Sequence, residues 1–188
     1  MNISSPAIFL SQSKRLFIAC LFLGMSLLSW QAAAQENVQT TTFKDWVVRC
    51  VERENLPPCD AVQTAFNSET NQQVMLTSIA HFGSSGDIGV QIWVPTGLLV
   101  SGGVLFEIDQ EKRALENLQF TRCETDGCFI EAIIQEDALT PLKKGSQAAV
   151  AVLTSSGQPR IVGLSLSGFT KAFNEVKQKN TKWFEENS

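Results

Sequence analysis

The chain has 188 residues, 44% of them apolar and 18% charged, with a formal net charge of −4, five cysteines, one histidine and no tyrosine. This composition is too apolar for a disordered chain, too acidic for a protein that grips nucleic acid through backbone charge, and too cysteine-poor for a knottin-like scaffold. A chain of this length buries enough surface for one core without a metal, so a single folded domain is expected.

The amino terminus reads as a leader. Lys14 and Arg15 are the only charges among the first 34 residues, and they precede Leu16 to Trp30, where 12 of 15 residues are apolar. Ala32-Ala33-Ala34 then places small residues at positions −3 and −1 of a cut before Gln35. This is the tripartite plan of a secretory signal peptide over residues 1–34. An uncleaved anchor would need about 20 apolar residues to cross the hydrocarbon core. A lipoprotein site at Cys20 would leave only four residues between Arg15 and the modified cysteine. Cleavage leaves 13 basic against 19 acidic side chains, a net charge of −6. The expectation is an exported protein, periplasmic or associated with the outer envelope, with no transmembrane segment after cleavage.

Beyond Gln35 the apolar residues recur with period two and are β-branched or aromatic, the mark of half-buried strands. Trp46, Val48 and Cys50 share one face, with Asp45 and Arg49 on the other. Val74 to Phe82 reads as a strand, and Ile88, Val90, Ile92 and Val94 alternate with Gly89, Gln91 and Trp93. Val104, Phe106 and Ile108 oppose Glu107 and Asp109, while Ile130, Ala132 and Ile134 share a face. A short helical turn is expected around Asp137 to Lys143. The run from Ala148 to Leu153 is nearly all apolar and reads as a central strand, and Val162, Leu164 and Leu166 form one more face. Glycine- and serine-rich segments such as Gly83 to Gly86 and Ser155 to Pro159 supply the turns. Phe169, Ala172, Phe173 and Val176 then switch to helical spacing. The pattern predicts an all-β, antiparallel two-sheet sandwich over residues 35–177 with one C-terminal helix. Residues 178–188 read as a polar tail in which Trp183 and Phe184 are expected to dock on the domain.

Export makes the cysteines legible. Without Cys20 four remain, Cys50, Cys59, Cys123 and Cys128, an even number suited to a compartment where disulfides persist. Three pairings are open, and spacing favours Cys50 with Cys59 and Cys123 with Cys128. Asp126-Gly127 is a hairpin turn signal between the latter two, which would face each other on paired strands. Zinc or redox chemistry is the alternative, but a redox pair uses Cys-x-x-Cys at a helix start and neither spacing matches.

Four stretches carry a resemblance to a known family. Val94-Pro-Thr-Gly-Leu-Leu-Val-Ser-Gly-Gly-Val-Leu-Phe-Glu-Ile-Asp109 resembles the Pro-x-Gly, x-x-Gly-Val, Ile-Asp core segment of the invasion-associated locus B family of bacterial exported proteins. Phe120-Thr-Arg-Cys-Glu-Thr-Asp-Gly-Cys128 is similar to its cysteine hairpin. Leu164-Ser-Leu-Ser-Gly-Phe-Thr-Lys-Ala172 resembles its closing motif, and Trp46 followed by Cys50 its opening. Together they span residues 43–173. The resemblance implies an immunoglobulin-like β-sandwich in the periplasm or outer envelope of a Gram-negative bacterium and a name taken from host-cell invasion. It brings no catalytic or ligand-binding residue with it.

Candidate chemistry is sparse. His81 is the only histidine, so a Ser–His–Asp triad or a histidine-containing metal site would have to be built on it. In Ser78-Ile79-Ala80-His81-Phe82 it reads as a surface histidine at a strand end. Glu107 and Asp109 lie two residues apart on one strand face, and two carboxylates could serve a glycosidase, but alternating charges on a solvated face explain them more simply. Gly97, Gly102 and Gly103 precede no helix whose amides could hold a phosphate. No catalytic residue, metal ligand or cofactor is assigned. Two functions stay open: a non-enzymatic exported module that binds a protein or envelope component through a sheet face, edge or loop, and a hydrolase or metal-dependent enzyme built around His81. Nucleic acid is not an expected partner. Lys171, Lys177, Lys179 and Lys182 give the last helix a basic character that is expected to be a solvated face.

Overall fold

The computed structural model describes residues 38–82, 86–110, 112–113, 115 and 118–188. The expected leader, residues 1–34, lies outside them. The first sheet holds β1 (Gln39–Phe43), β2 (Trp46–Cys50), β3 (Cys59–Phe66), β4 (Gln73–Phe82), β5 (Asp87–Pro95), β8 (Gln119–Cys123) and β9 (Gly127–Ile134). The second holds β6 (Val104–Ile108), β7 (Lys112–Arg113), β10 (Gln147–Leu153) and β11 (Pro159–Ser165). Their orders are β1-β2-β3-β4-β5-β9-β8 and β11-β10-β6-β7, with every pairing antiparallel. Among the described residues two α-helices, α1 (Thr140–Lys144) and α2 (Phe169–Asn187), complete the fold. This is the antiparallel two-sheet sandwich with a C-terminal helix that the alternation predicts.

Period two explains the core. In β4 Met75 and Ile79 are buried while their neighbours reach the other side, and in β5 Ile88, Val90, Ile92 and Val94 do the same. Register aligns these faces, since Ile79 pairs with Val90 and Val90 with Ala132. Phe106, Ile108, Ala148, Val150 and Leu164 close the core from the second sheet. Burying each large apolar side chain contributes roughly 1.5–3 kcal/mol.

The helix α2 lies against β2, β3 and β4. Its predicted stripe Phe169, Ala172, Phe173 and Val176 is fully buried, with Phe169 5.1 Å from the Trp46 ring. Gly168 enters the helix at φ 93°, and a Cβ there would stand 1.9 Å from the Phe43 carbonyl oxygen. Only glycine meets both conditions. The helix runs eleven residues past Val176, to Asn187, so it takes in most of the residues expected as a polar tail. Asn180, one turn beyond Val176, is fully buried and so extends the same stripe. Its amide donates to the carbonyls of Cys59 (2.8 Å) and His81 (3.0 Å), and its oxygen accepts the Cys59 N–H (3.0 Å). Trp183 and Phe184 are half-buried and meet edge to face at 5.0 Å.

Both local disulfides form. Cys50 and Cys59 are register partners on β2 and β3, and Cys123 and Cys128 on β8 and β9. The first closes the loop containing Pro57-Pro58, and the second fastens the Asp126-Gly127 hairpin.

Candidate functional site

Alternation that sends Val48, Ala61, Ile79, Ile92 and Ile130 inward sends Arg49, Asp60, Ser78, Gln91 and Glu131 to the outer face of the seven-stranded sheet. Register makes neighbours of them: Arg49 pairs with Asp60, Ser78 with Gln91, and Gln91 with Glu131. Two linked clusters result. At one end Arg49 donates to Asp60 from Nε (3.2 Å) and Nη2 (2.6 Å), and the Ser78 hydroxyl donates to the same carboxylate at 2.7 Å. Arg53, from the stapled loop after β2, approaches at 3.7 Å. The Asp60 side chain is only 5% exposed although it points to the solvent side, because these groups close over it. A charge so enclosed is stable only when paired and hydrogen-bonded.

At the other end Glu131 accepts from Gln91 (2.6 Å), Thr121 (2.6 Å) and Arg122 (2.8 Å). A register shift between Phe120 and Arg122 makes this possible, since the bulge brings the adjacent Thr121 and Arg122 to the same carboxylate. The Arg122 guanidinium also stacks 3.7 Å over the Phe129 ring. The Thr121 hydroxyl, with Arg122 and Gln91, holds the Glu131 carboxyl below its usual range against the opposing effect of burial. The hydrogen bonds that Arg122 donates to Glu131 and Glu124 raise its own pKa further. Between the clusters runs a groove of about 570 Å³ with Ala80, Phe82, Gly89 and Ile133 along it. The Phe82 ring lies over Gly89, where a Cβ would come within 2.3 Å of it. Ile133 is 66% exposed, an apolar step beside charged walls.

This arrangement suits recognition. Each carboxylate is held by three hydrogen bonds, and at Glu131 these donors favour the ionised form over one that takes up a proton. A larger groove of about 660 Å³ beside β6 is lined, among the described residues, by glycines and apolar side chains with no titratable group.

His81 requires a correction. The expected surface position is overturned, because the residue is 3% exposed on the inner face of β4, in line with Met75, Thr77 and Ile79. Its carbonyl is held by Asn180, and among the described residues nothing bonds Nδ1. Burial, helped by the Lys177 charge and opposed by Glu136, lowers its pKa. A buried, neutral imidazole under a helix gives the His81 enzyme reading no support. Glu107 and Asp109 also do not form a pair on one strand face. Asp109 lies past the end of β6 at φ 49° and accepts the N–H groups of Ser146 and Gln147. Among the described residues no three His, Cys, Asp or Glu side chains converge as metal ligands, and no helix is long and apolar enough to cross a membrane. Three of the helix lysines are ion-paired, Lys177 to Glu136, Lys179 to Glu175 and Lys182 to Glu186.

The polar row was not legible strand by strand, since each member looks like an ordinary solvent-facing residue. Alternation marks the outward positions, but only register across six strands brings them together.

A disulfide-stapled antiparallel sandwich with a preorganised polar groove on its outer face is the class these features define. The chain belongs to the invasion-associated locus B (IalB) family, whose model matches residues 46–177. It is 23% identical over 140 residues to Invasion protein B of Bartonella bacilliformis, covering 73% of this chain and 74% of that protein. The crystal structure of invasion associated protein B from Bartonella henselae superposes with a TM-score of 0.66 at 23% identity, covering 74% of this chain and 95% of that one. That likeness is one of fold.

Proposed function

We propose that the protein is an exported, non-enzymatic binding module of the cell envelope whose recognition surface is the outer face of the seven-stranded sheet. The observation that carries this reading is the polar row from Arg49 to Arg122. It lies outside the core, yet two carboxylates in it are fully satisfied by fixed donors. A groove built this way loses little entropy on binding, because its side chains are ordered beforehand. Location in the periplasm or outer envelope is supported by the leader-like amino terminus and by the two disulfides, which persist in oxidising compartments. The relatives' names support a link to host-cell invasion, which this reading places at the level of a binding event.

The test is affinity capture from an envelope extract with the wild-type protein and with Arg53→Glu and Ile133→Asp. The expected result is a partner recovered reproducibly by the wild type and lost from both variants at unchanged thermal stability. Recovery of nothing above background, or of the same partner by all three proteins, overturns the reading. Mass spectrometry of the exported protein checks the location, with a new amino terminus at Gln35 expected.

A further inference from the structure

The strand β11 is the outermost of the four-stranded sheet, and from Pro159 to Gly163 its edge, unpaired among the described residues, has a self-complementary pattern. Its last residue shows which backbone groups face outward. The Ser165 N–H donates to Gln63 Oε1 (2.8 Å), and the Ser165 carbonyl accepts from Trp46 Nε1 (2.8 Å) and Gln63 Nε2 (2.9 Å). Ser165 therefore turns both groups away from β10. Antiparallel alternation turns Gly163, Ile161 and Pro159 the same way, while Val162 and Leu164 face β10. Edges left in this state are templates for another strand, and proteins usually blunt them with charge, proline or bulges. Here Pro159 guards only the first position, and Arg160, the one charge, sits opposite Val152 on the inward-facing side of the strand.

The side chains on the outer face fit a second strand. Ile161 is 68% exposed, more than any other large apolar side chain of the described residues. It lies in a row with Ala151 and Leu105, so the strip beside the edge carries no charge. Gly163 is not at positive φ, and a Cβ there would meet nothing within 4 Å. Its own fold gives this strand glycine no use, and such a glycine often marks close approach by another backbone.

We propose that β11 pairs with β11 of a second copy across a two-fold axis, with Ile161 opposite Ile161 and Gly163 opposite Pro159. Each Ile161 N–H meets the other copy's Ile161 carbonyl, and each Gly163 N–H meets the other copy's Pro159 carbonyl. Pro159 has no N–H to leave unpaired. Its ring stands at the empty position above Gly163, and the two Ile161 side chains cover each other. Sliding the register to set Ile161 opposite Gly163 would drive Pro159 against Ser165, where Gln63 already occupies the edge. Although the chain is acidic overall, the strips that meet on the outer face carry no charge, and the one like pair is the two Arg160 side chains, set diagonally across the axis on the other face. The product is one continuous eight-stranded sheet, an isologous interface.

Sedimentation velocity on the purified protein, from low micromolar to submillimolar concentration, tests this together with three variants. The wild type is expected to shift from monomer to dimer, and Gly163→Val to stay monomeric at an unchanged melting temperature, since the monomer has room for the side chain. Ile161→Cys is expected to oxidise to a covalent dimer, because directly opposed residues in a hydrogen-bonded pair lie about 5.5 Å apart, a span a disulfide bridges. Leu105→Cys, two strands inward, should not cross-link. A wild type that stays monomeric, a dimer that survives Gly163→Val, or cross-linking of Leu105→Cys as fast as Ile161→Cys each overturns the proposal.

Discussion

Two buried polar residues tie the helix to the sheet, and they respond differently to perturbation. Asn180 satisfies both backbone groups of Cys59 and the carbonyl of His81 from the inner face of α2. Asn180→Leu keeps the branched skeleton but leaves these groups unpaired, and a buried donor without a partner costs about 1–3 kcal/mol. Urea denaturation should show a loss of about 2–4 kcal/mol for this variant. His81 acts through pH. Burial lowers its folded pKa below the ordinary 6.5, with Lys177 in α2 adding to the effect and Glu136, itself bonded to Lys177 and Lys143, opposing it. The unfolded chain therefore takes up a proton that the folded one refuses, so stability is complete above about pH 6.5 and falls as pH drops below it. The steepest slope one such group can contribute is about 1.4 kcal/mol per pH unit. Melting curves between pH 7.5 and 5 should fall for the wild type and flatten for His81→Leu, and equal slopes in the two proteins would remove His81 as the cause. The burial itself was readable, since His81 continues the period-two series Met75, Thr77, Ile79 of one face. Its position just before a glycine-rich turn pointed the other way, and the alternation prevailed.

At the scale of elements, legibility follows how each strand is covered. Strands with one apolar face, such as β5 and β10, declare themselves. The strand β1 does not, because Gln39-Thr-Thr-Thr-Phe43 sits at the sheet edge with four of its five residues exposed and no alternation to read. In β3, Asp60 and the run from Gln63 to Thr64 break the apolar pattern, although Asp60 is buried by its arginines. The end of α2 was hidden for a related reason, since the next stripe position after Val176 is a polar Asn180 whose burial depends on partners about 100 and 121 residues away. The disulfides were legible because both are local, nine and five residues apart. On the chain-entropy model each stabilises by roughly 2–3 kcal/mol, slightly more for the longer loop. Replacing Cys50 and Cys59 together by serine should lower the urea midpoint more than replacing Cys123 and Cys128, and the order of the two midpoints is the measurement. The polar row on the outer face should matter far less to stability. Arg122, Glu124 and part of Glu131 are exposed, and exposed pairs contribute about 0–1 kcal/mol. Glu131→Gln should therefore melt within a few degrees of the wild type while weakening capture of the partner.

Across the whole molecule, the two sheets differ in width, seven strands against four. The narrower sheet cannot cover the inner face of the wider one. The helix α2 fills the shortfall over β2, β3 and β4, where Trp46, Val48, Ala61 and Ile79 would otherwise meet water. It is thus the third wall of the core, which accounts for a stripe of four fully buried apolar residues on a segment that ends the chain. Losing one large aromatic from such a wall costs about 3–5 kcal/mol, a large share of the roughly 5–15 kcal/mol that a domain has in total. Phe173→Ala should therefore stay folded with a cooperative but lower transition. A chain ending at Ser167 loses Phe169, Ala172, Phe173, Val176 and the Asn180 clamp at once, more than the total can absorb. Its hairpins remain closed by their disulfides and keep local pairing, so the expected state retains far-ultraviolet β signal, loses near-ultraviolet signal and binds a hydrophobic dye. A truncated chain that instead melts cooperatively near the full-length temperature would show that the two sheets close the core by themselves and that the helix only decorates it.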